Sequence, residues 1–311
     1  MKTLLPIIAG LFLLTSAGLA APIQVAADAR WAAHVDVDRF LQTKFGEYIA
    51  REFLDKQLAK PTAKLKTDFG VEVDWRKIHS LTAYGWNFEG KEAADAVLVL
   101  RTDLDLPTML DAVIAKMSQN GKAEAPVQKI EEAEGTIYQV PKEAYGAASK
   151  DGAFIVARTR ERLLGALKAA SDPKASPASS QLIPALGTDA FLLFGVAHSM
   201  DQVDKLPKQA QVLKQAERAR LAAGEKAENV FVTLSLDART VEAATQIQQM
   251  VQGLIALGNL QGEQNADLQK LSQAARVDAK EKEVTLALQL PVQDVITKIG
   301  EATDKSPRKG K

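Results

Sequence analysis

His34, Asp36 and Asp38 are the residues of this 311-residue chain whose spacing most readily suggests chemistry. They alternate along a strand-like run at residues 31–37 and the residue that follows it, and the two-residue period of a strand places all three on one face. An imidazole and two carboxylates so placed could ligate a metal ion. The competing reading is a solvent-facing strand edge whose Asp38 caps the helix that follows. The other histidines, His79 and His198, stand alone, and no HExxH pair completes a coordination shell.

Tyr84, Trp86 and Phe88 alternate in the same way and should line one face of a later strand. Left open to solvent, such a row could stack on sugar rings or meet a protein partner. Covered by a helix, it is core packing, the commonest use of aromatic bulk. Trp31 and Trp75 lie in the same half of the chain and the second half has no tryptophan, so a recognition surface is expected first in that half. A third candidate is a charged helix over residues 207–223, with Lys208, Lys214, Arg218 and Arg220 beside Gln215 and Glu217. It reads either as a docking face for an anionic surface or as a solvated helix with ordinary charge pairs.

Other chemistries lack their residues. The chain has no cysteine, which removes thiolate catalysis, cysteine zinc sites, disulfides and a lipid-anchoring cysteine. No Gly-x-Ser-x-Gly elbow and no phosphate-binding glycine loop is present, so no cofactor is expected. Paired carboxylates for glycan hydrolysis remain an alternative, because acids this common could meet in space. Lysine plus arginine and aspartate plus glutamate are both 39, and a net charge of zero argues against nucleic-acid binding.

The elements that would position these residues follow from periodicity. Residues 1–20 read as a signal peptide: Lys2, an apolar run over residues 4–14, then Ala17, Gly18 and Ala20. Gly18 and Ala20 fit a cut after Ala20. A cut after Ala21 would place Pro22 at the scissile bond. A cut after Ala27, or retention as an anchor, is the alternative. After cleavage no further stretch is long and uncharged enough for stable membrane insertion, so a soluble periplasmic or secreted protein is expected.

Residues 28–170 read as a first α+β half, 171–182 as a Pro- and Ser-rich linker, 183–300 as a second half, and 301–311 as a disordered basic tail. The first half comprises a strand at 31–37, a helix over 38–59 ended by Pro61, strands 79–88 and 94–102, and a helix over 106–118. A hairpin of 136–140 with 153–158 and a helix over 160–170 complete it. The second half opens with an apolar strand at 190–196, followed by the charged helix and a half-buried strand around 230–236. Helices over 238–257 and 266–274, a hairpin of 275–279 with 284–290 and a helix over 292–299 follow. Val241, Ala244, Ile247, Val251, Leu254 and Ile255 form one stripe of the 238–257 helix. Asp38, Asp105 and Asp237 stand where helix caps are wanted. The fold class is α+β, with antiparallel sheets covered by helices in two similar halves.

The run Thr136-Ile137-Tyr138-Gln139-Val140-Pro141, with Asp151-Gly152-Ala153-Phe154-Ile155-Val156-Ala157 and Glu161-Arg162-Leu163-Leu164, resembles a recurrent segment of uncharacterised exported bacterial proteins, a domain of unknown function. Asn229 to Asp237 and the helix after it have the same character. The resemblance implies export and an α+β fold, and it carries no catalytic residues to transfer. The expected role is non-catalytic binding or assembly, with an envelope protein or a glycan as partner. A glycan hydrolase or a carrier of an apolar ligand is the alternative.

Overall fold

A computed structural model describes residues 25–87, 96–119, 127–132, 135–141, 143–171, 182, 189–197, 216–261 and 265–305. The signal peptide, Phe88, His198, Lys208, Lys214 and nearly all of the expected linker lie outside them.

Among the described residues, twelve strands form one antiparallel sheet. They are β1 (Trp31–Asp36), β2 (Ile78–Gly85), β3 (Ala96–Thr102), β4 (Gln128–Glu132), β5 (Gly135–Val140), β6 (Ala144–Ala148), β7 (Phe154–Ala157), β8 (Ala190–Ala197), β9 (Ala216–Lys226), β10 (Asn229–Ala238), β11 (Ala275–Lys280) and β12 (Glu283–Pro291). Their order is β11-β12-β10-β9-β8-β1-β2-β3-β7-β6-β5-β4. The helices are α1 (Val37–Leu41), α2 (Lys44–Ile49), α3 (Asp55–Phe69), α4 (Leu106–Gln119), α5 (Arg160–Ser171), α6 (Val241–Gln261), α7 (Ala266–Ala274) and α8 (Val292–Lys305).

The fold is α+β, and its two halves share one plan. Each half opens with a strand, then pairs two further strands in succession, crosses over a helix to an added hairpin, and closes on a helix. The first half pairs as β1-β2-β3-β7-β6 and the second as β8-β9-β10-β12-β11, with β5 and β4 added at the first half's edge. The halves meet where β1 pairs antiparallel with β8, Ala33 opposite Phe194. Arg39 ties the seam by donating to the Ala190 carbonyl at 2.9 Å.

Two apolar clusters pack on the sheet. In one, Leu163 and Ala166 of α5 lie against Tyr84, Val97, Ile155 and Leu193. In the other, Ala244 and Ile247 of α6 lie against Ala216, Leu236 and Val284.

Several expectations need correction. Residues 216–223 are strand, although Ala, Leu and Arg favour helix, because long-range pairing overrides local propensity. Arg218 stands opposite Asp237 and Arg220 opposite Ser235 in the ladder to β10. Ala216 is fully buried. Asp237 is therefore no cap: it lies in β10, 3.3 Å from Arg218 and 2.8 Å from Arg220. Thr240 caps α6 by accepting from the Ala243 amide. Asp36, not Asp38, caps α1 by accepting from the Arg39 amide at 2.8 Å. Asp105 does cap α4, accepting from the Thr108 amide.

Pro61 does not end its helix. After a π-helical turn at Ala50–Leu54, α3 continues through Pro61 to a left-handed cap at Gly70. No residue of α3 is buried, so the hydrogen bond that Pro61 removes is lost on a helix open to solvent rather than in the core. The strands at 136–140 and 153–158 are not neighbours, because β6 lies between them. Helix α8 runs to Lys305, into the segment expected to be a disordered tail.

Leu182, the last residue of the expected linker, is buried against the sheet. Its carbonyl oxygen would lie 1.4 Å from a Cβ at position 195, so only glycine there admits it. Gly195→Ala should lift Leu182 off β8 and cost about 2 kcal/mol, roughly the burial of one leucine. Urea denaturation should show a lowered midpoint; an unchanged midpoint would contradict this packing.

Candidate functional site

The aromatic row divides in two. Tyr84 is 2% exposed and belongs to the core beneath α5. Burial pushes its phenol above the ordinary tyrosine range. Trp86, just past the end of β2, is half-buried and meets Tyr84 edge-on, ring centres 5.8 Å apart. The Arg162 guanidinium lies over the indole, 3.5 Å from its centre. That face, where a sugar ring would stack, is thus occupied by a cation. The indole Nε1 is buried, and no group among the described residues accepts from it. Beside it opens a cleft of about 360 Å³, lined by Asp28, Tyr84, Trp86, Glu161, Arg162 and Lys168. It is shallow and carries both charge signs, unlike a deep apolar carrier cavity.

His34, Asp36 and Asp38 do not converge. His34 is 6% exposed and hydrogen-bonded to Thr82 Oγ1 at 2.8 Å. Asp36 caps α1. Asp38 turns to His79, whose Nδ1 is 2.9 Å from it while Nε2 is 3.0 Å from Asp103. One imidazole thus bridges two carboxylates on opposite edges, an arrangement in which they cannot share an ion. Among the described residues no three His, Asp or Glu side chains are gathered as they would be around a metal.

Among the described residues, the carboxyl groups whose pKa is displaced are displaced downward. Arg160 does this to Glu132 and Arg76 to Asp55, each through a hydrogen bond. A glycosidase general acid needs the opposite.

The least expected surface is on α6 and α7. Of the seven large apolar side chains left exposed among the described residues, six lie on these two helices: Val241, Met250, Leu254, Leu257, Leu260 and Leu271. Met250, Leu254 and Leu257 recur at i, i+4 and i+7, and Leu260 lies beside them. The stripe expected to be core is split. Ala244 and Ile247 are fully buried, whereas Val241 and Leu254 are about half exposed. Met250, Leu257 and Leu260 were the available signal, because they make the apolar arc of α6 wider than one buried face needs. Glu242 is the sole charged residue in the helix.

No protein-family model and no curated protein matches the chain. Among solved structures, crystal forms III and I of TP0453 align over 89% of this chain and 96% and 95% of theirs. Each gives a TM-score of 0.44, at 9% and 8% identity.

The two described histidines have opposite pH signatures. Burial, with Arg39 and Arg101 nearby, lowers the His34 pKa to about 4. Its stabilising contribution is complete above the unfolded value of 6.5 and lost as pH falls toward 4, by about 3 kcal/mol at most. His79 is raised by Asp103 and Asp38. Its contribution is complete below 6.5 and lost as pH rises through the raised value. Between pH 7 and 5 the buried group should dominate and the melting temperature should fall. His34→Gln should flatten that fall and His79→Asn should steepen it. Identical profiles for wild type and His34→Gln would contradict the assignment.

Proposed function

We propose that this chain is an exported, non-catalytic protein of a bacterial envelope that works in assembly, docking a partner on the apolar face of α6 and α7. The observation that carries the reading is the concentration of exposed leucine and methionine on those two helices, which hold six of the seven exposed large apolar side chains among the described residues, Leu98 on β3 being the seventh. An uncovered patch of this kind marks an interaction surface.

Export rests on the sequence of residues 1–20. Val25 has no exposed surface and packs in the core with Tyr84 and Leu163. A cut after Ala27 would remove that core residue, whereas a cut after Ala20 keeps it. No described helix is long and apolar enough to cross a membrane. A glycan partner is the less favoured reading, because Arg162 already covers the face of Trp86.

A photo-crosslinking residue introduced at Leu257 or Leu260, in cells that export the chain, should yield discrete adducts, while one at Lys60 should not. The mass of the unlinked chain should place its first residue at Ala21. Absence of adducts at both leucines, or equal adducts at Lys60, would overturn the docking reading.

A further inference from the structure

Resting on that docking reading, we propose that the partner is a second copy of this chain, seated face to face on α6 and α7 across a two-fold axis. Three observations favour a copy over other occupants. The first is charge. Helix α6 carries no lysine or arginine and a single acid, Glu242, near its start. The α6 part of the face, with no basic residue and one acid, and the α7 part, with one charge of each sign in Asp267 and Lys270, meet their own copy with little like-charge repulsion, which is what a two-fold interface requires, since each patch must complement itself.

The second is the state of the cations at the rim. Lys270 of α7 pairs with Asp294 at 3.2 Å, and Lys298 of α8 pairs with Asp267 and Glu301 at 3.0 and 3.2 Å. Helices that lie on anionic lipid place lysine and arginine beside their apolar face to meet the headgroups. Here Lys270 and Lys298 are held by carboxylates of the same chain rather than left for headgroups, and Arg276, just past α7, donates to the Gln273 and Ala275 carbonyls.

The third is size. Met250, Leu254, Leu257 and Leu271 are 41–49% exposed and Leu260 is 76% exposed. Together they present on the order of 400 Å² of apolar surface, within the range of patches that mark interaction sites. A polar rim of equal extent would bring each partner to roughly 800 Å², the standard size of a specific interface. The exposed Gln249 and Gln261 of α6 can both donate and accept hydrogen bonds, so they too can pair with their own kind.

Sedimentation velocity on the full chain purified after export, from about 1 to 100 µM, should show a reversible monomer–dimer equilibrium. The double substitution Leu254→Glu/Leu257→Glu should weaken it about 100-fold, as expected of central contacts, with an unchanged far-ultraviolet spectrum. Because the chain has no cysteine, Gly253→Cys supplies a second readout that leaves the leucines in place. It should form a disulfide-linked dimer on mild oxidation, and Lys60→Cys should not. A wild-type chain that stays monomeric throughout would overturn the proposal. If that monomer floats with phosphatidylethanolamine–phosphatidylglycerol vesicles, the face belongs to lipid. If its Leu257 position crosslinks a different protein, docking stands and self-association falls. If neither occurs, both readings fall.

Discussion

The antiparallel pairing of β1 with β8 is the constraint on which the rest of the structure depends. Without it the chain would hold two smaller sheets, each exposing the unpaired edge of its first strand. With it both edges are satisfied, and the first strand of the chain lies at the centre of twelve. Ala32 is fully buried there and His34 nearly so. The buried imidazole is consequently a property of the seam. It sits opposite Leu193 on one side and Thr82 on the other, and only Thr82 can bond to it. The same seam holds Arg39 against the Ala190 carbonyl, so the first helix, the first strand and the second half are locked at one place.

The plan that the two halves share has produced different surfaces. Helix α4 of the first half and helix α6 of the second occupy corresponding positions, each following the third strand of its half. On α4 the apolar residues Leu106, Met109, Leu110, Val113 and Met117 are all half-buried. On α6 the outer leucines are left uncovered. The first half turns its aromatic residues inward: Tyr84 lies under α5, and Trp86 packs between that tyrosine and Arg162. The half richer in tryptophan thus holds Tyr84 and Trp86 against the sheet and Arg162, while the half without tryptophan offers the open apolar face.

Local signals in the sequence were reliable where one segment settles its own conformation. Helix α7 begins behind Asn265, which accepts from the Asp267 and Leu268 amides. Strands β11 and β12 match their alternating pattern and short turn. The failures lie where distant partners decide. Strand β9 is written in helix-forming residues, and only β8 and β10 on either side hold it extended. Strand β6, Ala144–Ala148, has little strand propensity. It exists because Gly146 leaves room for the Phe154 ring, which would lie 2.9 Å from any Cβ there. The α6 face was hidden for the same reason: periodicity reports that a helix is amphipathic, but the width of sheet beneath it decides how much of the apolar arc is covered. Chemistry at His34, Asp36 and Asp38 looked possible because a strand period aligns them. Helix α1 starts directly after Asp36 and rotates Asp38 toward His79.

The central claim is that the leucine and methionine face of α6 is covered when the protein is at work. Oxidative footprinting reads this directly, because Met250 is 41% exposed in the single chain and its thioether oxidises readily when solvent reaches it. Met250, Leu254 and Leu257 should be strongly modified in dilute purified protein and protected in intact cells, while Leu98 on β3, exposed to a similar degree, is modified equally in both. Equal modification of the α6 residues in the two settings would contradict the account.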